Sequence, residues 1–145
     1  MTQQLESYWP QIQVVKEKAP VTILREQGHL LAKATGNNIL GVVESDQGEQ
    51  GELIHHFYLL VPSLGDYRYH LFSISHYLPF FPLRFSIGEA LQKELDPSYV
   101  QFLQGRSGSG NYSVEDSSQF LDFLKEVLQT KHTSEVLEGL LAQAQ

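Results

Sequence analysis

The sequence predicts an α+β fold, an antiparallel three- to four-stranded β-meander packed by N-terminal and C-terminal helices, and three observations carry that expectation. Residues 53–61 and 67–77 are two strand-like runs parted by Pro62-Ser63-Leu64-Gly65-Asp66, whose Pro, Gly and Asp favour turn geometry. Phe120, Phe123, Leu124, Val127 and Leu128 then repeat at helical spacing. The length, 145 residues, suits one core and therefore a single α+β domain over 1–145, in the order α-α-β-β-β-(β)-α-α-α.

Along the chain, residues 7–18 read as a first helix, with Pro10 in the first turn, where the missing N–H costs nothing, and with Tyr8, Ile12 and Val15 on one face. From 21 to 35 the apolar residues Ile23, Leu24, Leu30, Leu31 and Ala34 follow a helical period, and Gly36-Asn37 sits where a left-handed C-cap is wanted. Gly28 weakens that helix, and a hairpin turning at Gln27-Gly28 is the rival. Residues 39–43 are β-branched and read as a first strand, followed by a polar loop over 45–52.

After the hairpin, residues 78–85 are apolar but contain Pro79 and Pro82, which cannot donate to a ladder, so a central strand is not expected there. Ser86 and Glu89 form a capping-box pair for a short helix over 87–95, stopped by Asp96-Pro97. Residues 99–103 fit either a strand or a helical turn, and the Gly- and Ser-rich stretch 105–113 fits a loop. Asp116 with Gln119 opens the clearest helix, and a last helix follows Thr133 with Val136, Leu137, Leu140 and Leu141 buried.

Composition narrows the chemistry. Apolar residues at 41%, with 8 Phe and 7 Tyr, are enough to order a core. With Cys 0 there is no disulfide, thiolate nucleophile or cysteine-ligated metal. A net charge of −7, with no three adjacent basic residues, speaks against nucleic acid and anionic membrane as partners. The N-terminus shows neither a basic cluster followed by an apolar run nor a span, so a cytoplasmic location is the expectation.

Of the 6 histidines, His55, His56, His70 and His76 fall on the expected hairpin. Neighbouring strand residues face opposite ways, which separates His55 from His56. His70 and His76 would share a face in a regular strand, but about 20 Å apart, too far to share a metal. If Val61 pairs with Tyr67, then Phe72 lies opposite His56, and His56, Tyr58, Arg68 and His70 share a face suited to an anion or a pH-sensitive contact. The alternative is a solvated outer surface over an inner face of Leu53, Phe57, Leu59, Val61 and Leu71.

Other motifs fail on spacing. The stretch 105–110 lacks the Gly-Lys-Ser/Thr ending of a phosphate loop, and Glu44, Asp46, Glu49 and Glu52 lack the Gly and Glu positions of a calcium loop. Gly-x-Ser-x-Gly is missing from a strand-to-helix elbow, so no hydrolase nucleophile is indicated. Neither a metal nor a cofactor is expected. Leu78, Phe80, Phe81, Leu83 and Phe85 are the candidate partner-binding residues, because prolines interrupt their pairing; burial beneath the C-terminal helices is the alternative. The expected function is a small non-enzymatic protein-interaction or regulatory module of adaptor, chaperone-like or antidote-like type, with possible self-association. The alternative is a binder or enzyme for a small anionic ligand on the His56/Tyr58/Arg68/His70 face.

Overall fold

The computed structural model describes residues 5–95 and 110–145. Helix α1 (Pro20–Ala34) precedes strands β1 (Leu40–Gln47), β2 (Leu53–Val61), β3 (Tyr67–His76) and β4 (Leu83–Ile87); a four-residue helix α2 (Glu89–Gln92), strand β5 (Asn111–Val114) and helices α3 (Ser117–Leu128) and α4 (Lys131–Ala144) follow. The strands form one antiparallel five-stranded sheet in the order β1-β2-β3-β4-β5. The fold is α+β, with helices before and after the sheet.

The stretch expected over 21–35 is helical to Ala34, as its period requires, with Thr35 as C-cap, and Gly36 and Asn37 adopt φ of 58° and 66° to end the helix. Gly28 has a reason to be in it. Gly28 and Gly41 let α1 lie directly on β1: a Cβ on Gly28 would stand 2.2 Å from the Gly41 carbonyl oxygen. Gly28→Ala is therefore expected to destabilise the protein by about 1–3 kcal/mol despite alanine's better helix propensity, since the obstructing atom is backbone. Thermal unfolding of the variant checks the sign; stabilisation would show that α1 can lift off β1.

The helix expected over 7–18 does not form; residues 5–19 run without helical structure, with Tyr8, Trp9 and Ile12 in solvent. Their spacing fits a helix, but about 12 residues with no surface to bury against are too few to sustain one. Strand β1 extends to Gln47, further than its β-branched start suggests, because Glu44, Ser45, Asp46 and Gln47 pair with His56, His55, Ile54 and Leu53. Only the end of the expected polar loop turns.

In the central hairpin β2 occupies 53–61, and the 3₁₀ turn Pro62–Leu64 closes with Gly65 and Asp66 at φ of 66° and 59°. Val61 pairs with Tyr67 as expected, but the register shifts between Phe57 and Tyr58: Tyr58 pairs with His70 and Phe57 with Phe72, leaving Leu71 extra in β3. This β-bulge changes which residues face which way. Ser73, not Phe72, lies opposite His56, and His76 shares the core side with Phe72 while His70 stays on the other.

Downstream of Pro82, residues 83–87 alternate buried and exposed as β4, which is an inner strand between β3 and β5. The exclusion of a central strand from 78–85 therefore applies to the proline-bearing half alone. Ser86 belongs to β4 rather than to a cap, so the helix expected over 87–95 shrinks to α2, whose N-cap is Gly88. Asn111, Tyr112 and Ser113, expected in a loop, pair with β4 as β5. The alternatives at 99–103 and the glycine-rich stretch 105–109 lie outside the described residues.

Helix α3 begins as its sequence demands: Asp116 Oδ1 accepts from Gln119 N at 2.9 Å, while Gln119 Oε1 accepts from Glu115 N at 2.9 Å. Helix α4 starts earlier than expected, capped by Thr130, and Glu94 takes the N–H groups of Lys131 and His132 at 2.8 and 2.6 Å. That carboxylate ties α2 to the last helix. Its charge also suits the positive end of the helix dipole.

All the helices pack on one side of the sheet. Phe85 meets Phe120 and Phe123 of α3 with ring centroids 5.5 and 4.6 Å away, Tyr112 meets Phe123 at 5.2 Å, and Tyr69 Oη lies 3.0 Å from His132 Nε2 of α4. Phe57 and Phe72 stack beneath them at 5.3 Å. Leu83 and Phe85, read from the sequence as partner-binding, are 1% and 0% exposed core residues, and burial removes them from that set. Leu78 is 81% exposed, and Phe80 and Phe81 are half-buried in the loop before β4.

Candidate binding face of the sheet

Because cross-strand partners share a side, the side away from the helices can be read off the register as rows. Glu44, His56, Ser73, Ser86 and Asn111 form one row across all five strands, and Asp46, Ile54, Ser75, Arg84 and Ser113 the next. Nearly every position in them is polar. Toward the other end of the strands the face turns apolar, with Leu40 opposite Leu60 and Val42 opposite Tyr58.

His56, Tyr58, Arg68 and His70 come together on this face. The His56 ring lies 5.6 Å from His70 and 6.2 Å from Tyr58, and the Arg68 guanidinium stands 4.6 Å above the Tyr58 ring. Arg68 is not available to a ligand without competition, since its Nη2 pairs with Glu44 Oε1. Stacking on Tyr58 further fixes its orientation.

Ser73 joins the group through the bulge and could not be placed there from a regular register. Its Oγ lies 2.6 Å from His56 Nδ1 and 2.7 Å from His70 Nε2. A hydroxyl has one proton to donate, so at least one imidazole must donate its own N–H to Ser73. Desolvation, then the nearby His56, hold the His70 pKa below the usual histidine value, opposed by a hydrogen bond to the Phe72 backbone. The adjacent apolar residues Leu71-Phe72, which break strict alternation, are the sequence signal that marks the bulge.

Beside this cluster the face dips into a concavity of about 480 Å³, lined among others by His56, Ser73, Arg84, Ser86, Asn111 and Ser113. The Arg84 side chain has no ion pair or hydrogen bond among the described residues. The hydroxyls of Ser75 and Ser86 and one uncommitted guanidinium give a surface able to donate several hydrogen bonds to an oxyanion, while Ser73 is held by the two imidazoles and Ser113 donates to Glu115. No local pattern singles out Arg84, because the nearby Pro79 and Pro82 suggest irregular chain. Tyr77 and Pro82, on either side of the loop that carries Leu78 and Phe80, line the same concavity.

The other two hairpin histidines face the core. His55 and His76 are buried, with rings 5.4 Å apart; Ser45 Oγ lies 2.7 Å from His55 Nδ1, and His76 Nδ1 donates to the Tyr77 carbonyl at 2.9 Å. Burial, then the neighbouring His76, Arg25 and His56, push the His55 pKa down to about 4. Among the described residues no three of His, Cys, Asp and Glu assemble as metal ligands, and no helix is long and apolar enough to cross a membrane. No family model, curated protein or solved structure matches the chain.

Proposed function

We propose that the protein is a non-enzymatic interaction module that takes a partner protein on the helix-free face of its sheet, anchored by a carboxylate or phosphate group of the partner on Arg84. The observation that carries this is the contrast between two arginines of one face: Arg68 is neutralised by Glu44, whereas Arg84 stands uncommitted in a hydroxyl-lined concavity. Tyr77 and Pro82, which line the concavity, add apolar contact next to the charged anchor. Ser73 and its two imidazoles do not suggest a nucleophile. The serine is 8% exposed and its hydroxyl is held by both rings, while strand pairing occupies the backbone N–H groups that would have to stabilise an oxyanion.

The volume of the concavity, about 480 Å³, favours a second reading, a small anionic ligand held by Arg84 with His56 beside it. Amide NMR titration with an acidic peptide and, separately, with inorganic phosphate distinguishes the two. The interaction module predicts shifts at Ser73, Arg84, Ser86 and Ser113 with the peptide binding at least about tenfold tighter than phosphate, and a loss of about tenfold or more for Arg84→Gln. Equal affinity for phosphate selects the small ligand. Shifts from neither probe, or shifts that Arg84→Gln leaves unchanged, overturn both.

A further inference from the structure

We infer that the N-terminal arm, residues 5–19, is an exchange arm that adds as a strand to the free edge of β1 in a second copy of the chain. Two features, each incomplete alone, fit one another.

The first is the arm itself. Leu5, Tyr8, Trp9, Ile12, Val14 and Val15 are 60–99% exposed, whereas the other exposed large apolar residues are scattered over the surface. Together these six present on the order of 800 Å² of apolar surface, about what one partner contributes to a standard stable interface. Residues 11–15, Gln-Ile-Gln-Val-Val, alternate polar and β-branched in a strand pattern before the second valine. Pro10 is compatible with this, because on a newly added outer strand its missing N–H can face water.

The second is the edge. Among the described residues strand β1 pairs with β2 alone, and its other side has no strand partner there over eight residues, Leu40–Gln47. Its first half, Leu40 to Val43, carries no proline, charge or bulge to protect the edge; Glu44 and Asp46 charge only the second half. Its helix-free side carries Leu40 and Val42, which with Leu60 and Tyr58 make an apolar corner where Ile12 and Val14 of an added strand would land.

Charge favours a second copy as the occupant. Residues 5–19 contain Glu6 and Glu17 against Lys16 and Lys18, a net charge of zero on a chain of net charge −7, so the arm approaches another copy without the repulsion between the two bodies. Lys18 pairs with Glu26 and Glu44 with Arg68, which leaves Asp46, Glu49 and Glu52 at the end of β1 and in the turn after it as an acidic border for Lys16 of the arm. Reciprocal exchange of two arms closes a two-fold dimer and leaves no arm unpaired.

Trp9 is the single tryptophan, so its emission reports on the arm alone. With rising concentration of the full chain, emission is expected to move to shorter wavelength in step with a monomer-to-dimer transition in sedimentation velocity. Ile12→Asp with Val14→Asp is expected to raise the dimer dissociation constant about a hundredfold or more. Val42→Asp on the receiving edge should do the same, and amide NMR of the monomer shows that each variant remains folded. Solvent-exposed emission with monomer mass at every concentration overturns the inference. So does short-wavelength emission from a monomer, which would seat the arm on its own sheet, or a dimer indifferent to the arm substitutions.

Discussion

Phe85→Ala is expected to destabilise the protein by about 3–5 kcal/mol, a large part of the total stability of a domain this size. The Phe85 side chain is 0% exposed and its ring meets Phe72, Phe120 and Phe123 at 5.6, 5.5 and 4.6 Å, so truncation opens a void between sheet and helix that neither can collapse to fill. The midpoint of thermal unfolding should fall by roughly 10 °C or more. Leu78→Ala, two residues past the end of β3 and 81% exposed, should change stability by less than about 0.5 kcal/mol. Urea unfolding of both variants checks the contrast. Equal, small effects would mean that Phe85 serves a surface rather than the core.

Acid should cost stability through His55. Its folded-state pKa, about 4, lies below the unfolded value of 6.5, so folding favours the neutral imidazole. Its contribution is therefore complete above pH 6.5, falls as pH drops from 6.5 toward about 4, and levels off below that. The loss is about 1–3 kcal/mol, less than the full shift implies because water reaches the neighbouring exposed Ser45. The charges and titratable groups around it are His76 on β3, His56 on its own strand and Arg25 on α1. Denaturation midpoints of the protein and of His55→Gln, which can still hydrogen-bond to Ser45, should converge as pH falls from 7 to 4.5. Parallel curves over that range would show that His55 does not titrate against folding.

Local signals located most of the fold. Strand β2 and helix α3 were legible because alternation, turn residues and the Asp116/Gln119 cap agree with one another. Residues 7–18 misled because spacing records which side chains could share a face and not whether a surface exists to receive them. For β4, Pro79 and Pro82 masked the alternation of Leu83, Phe85 and Ile87 that begins one residue later.

The candidate face was partly legible for the same reason. Tyr58, Arg68 and His70 could be grouped because they lie on the turn side of the shift, where the register follows from Val61 and Tyr67, and His56 shares their face because β2 alternates regularly through Tyr58. Ser73 lies past the extra residue and was displaced by one position. Arg84 depended on a strand whose existence is decided by long-range pairing with β3 and β5, which no local pattern contains.

The extra residue in β3 also gives the strand a reading frame. Before Leu71 the even-numbered positions Arg68 and His70 look outward; after it Phe72, Ile74 and His76, also even-numbered, look inward. Taking Leu71 into the ladder opposite Phe57 would keep every downstream side chain yet exchange the two surfaces, turning aromatic and aliphatic residues to water and serines into the interior, whereas loss of Leu71 would leave Phe57 opposite Phe72 and both surfaces as they are. One residue held out of the pairing, more than the identity of any one amino acid, is what sets the two faces of β3.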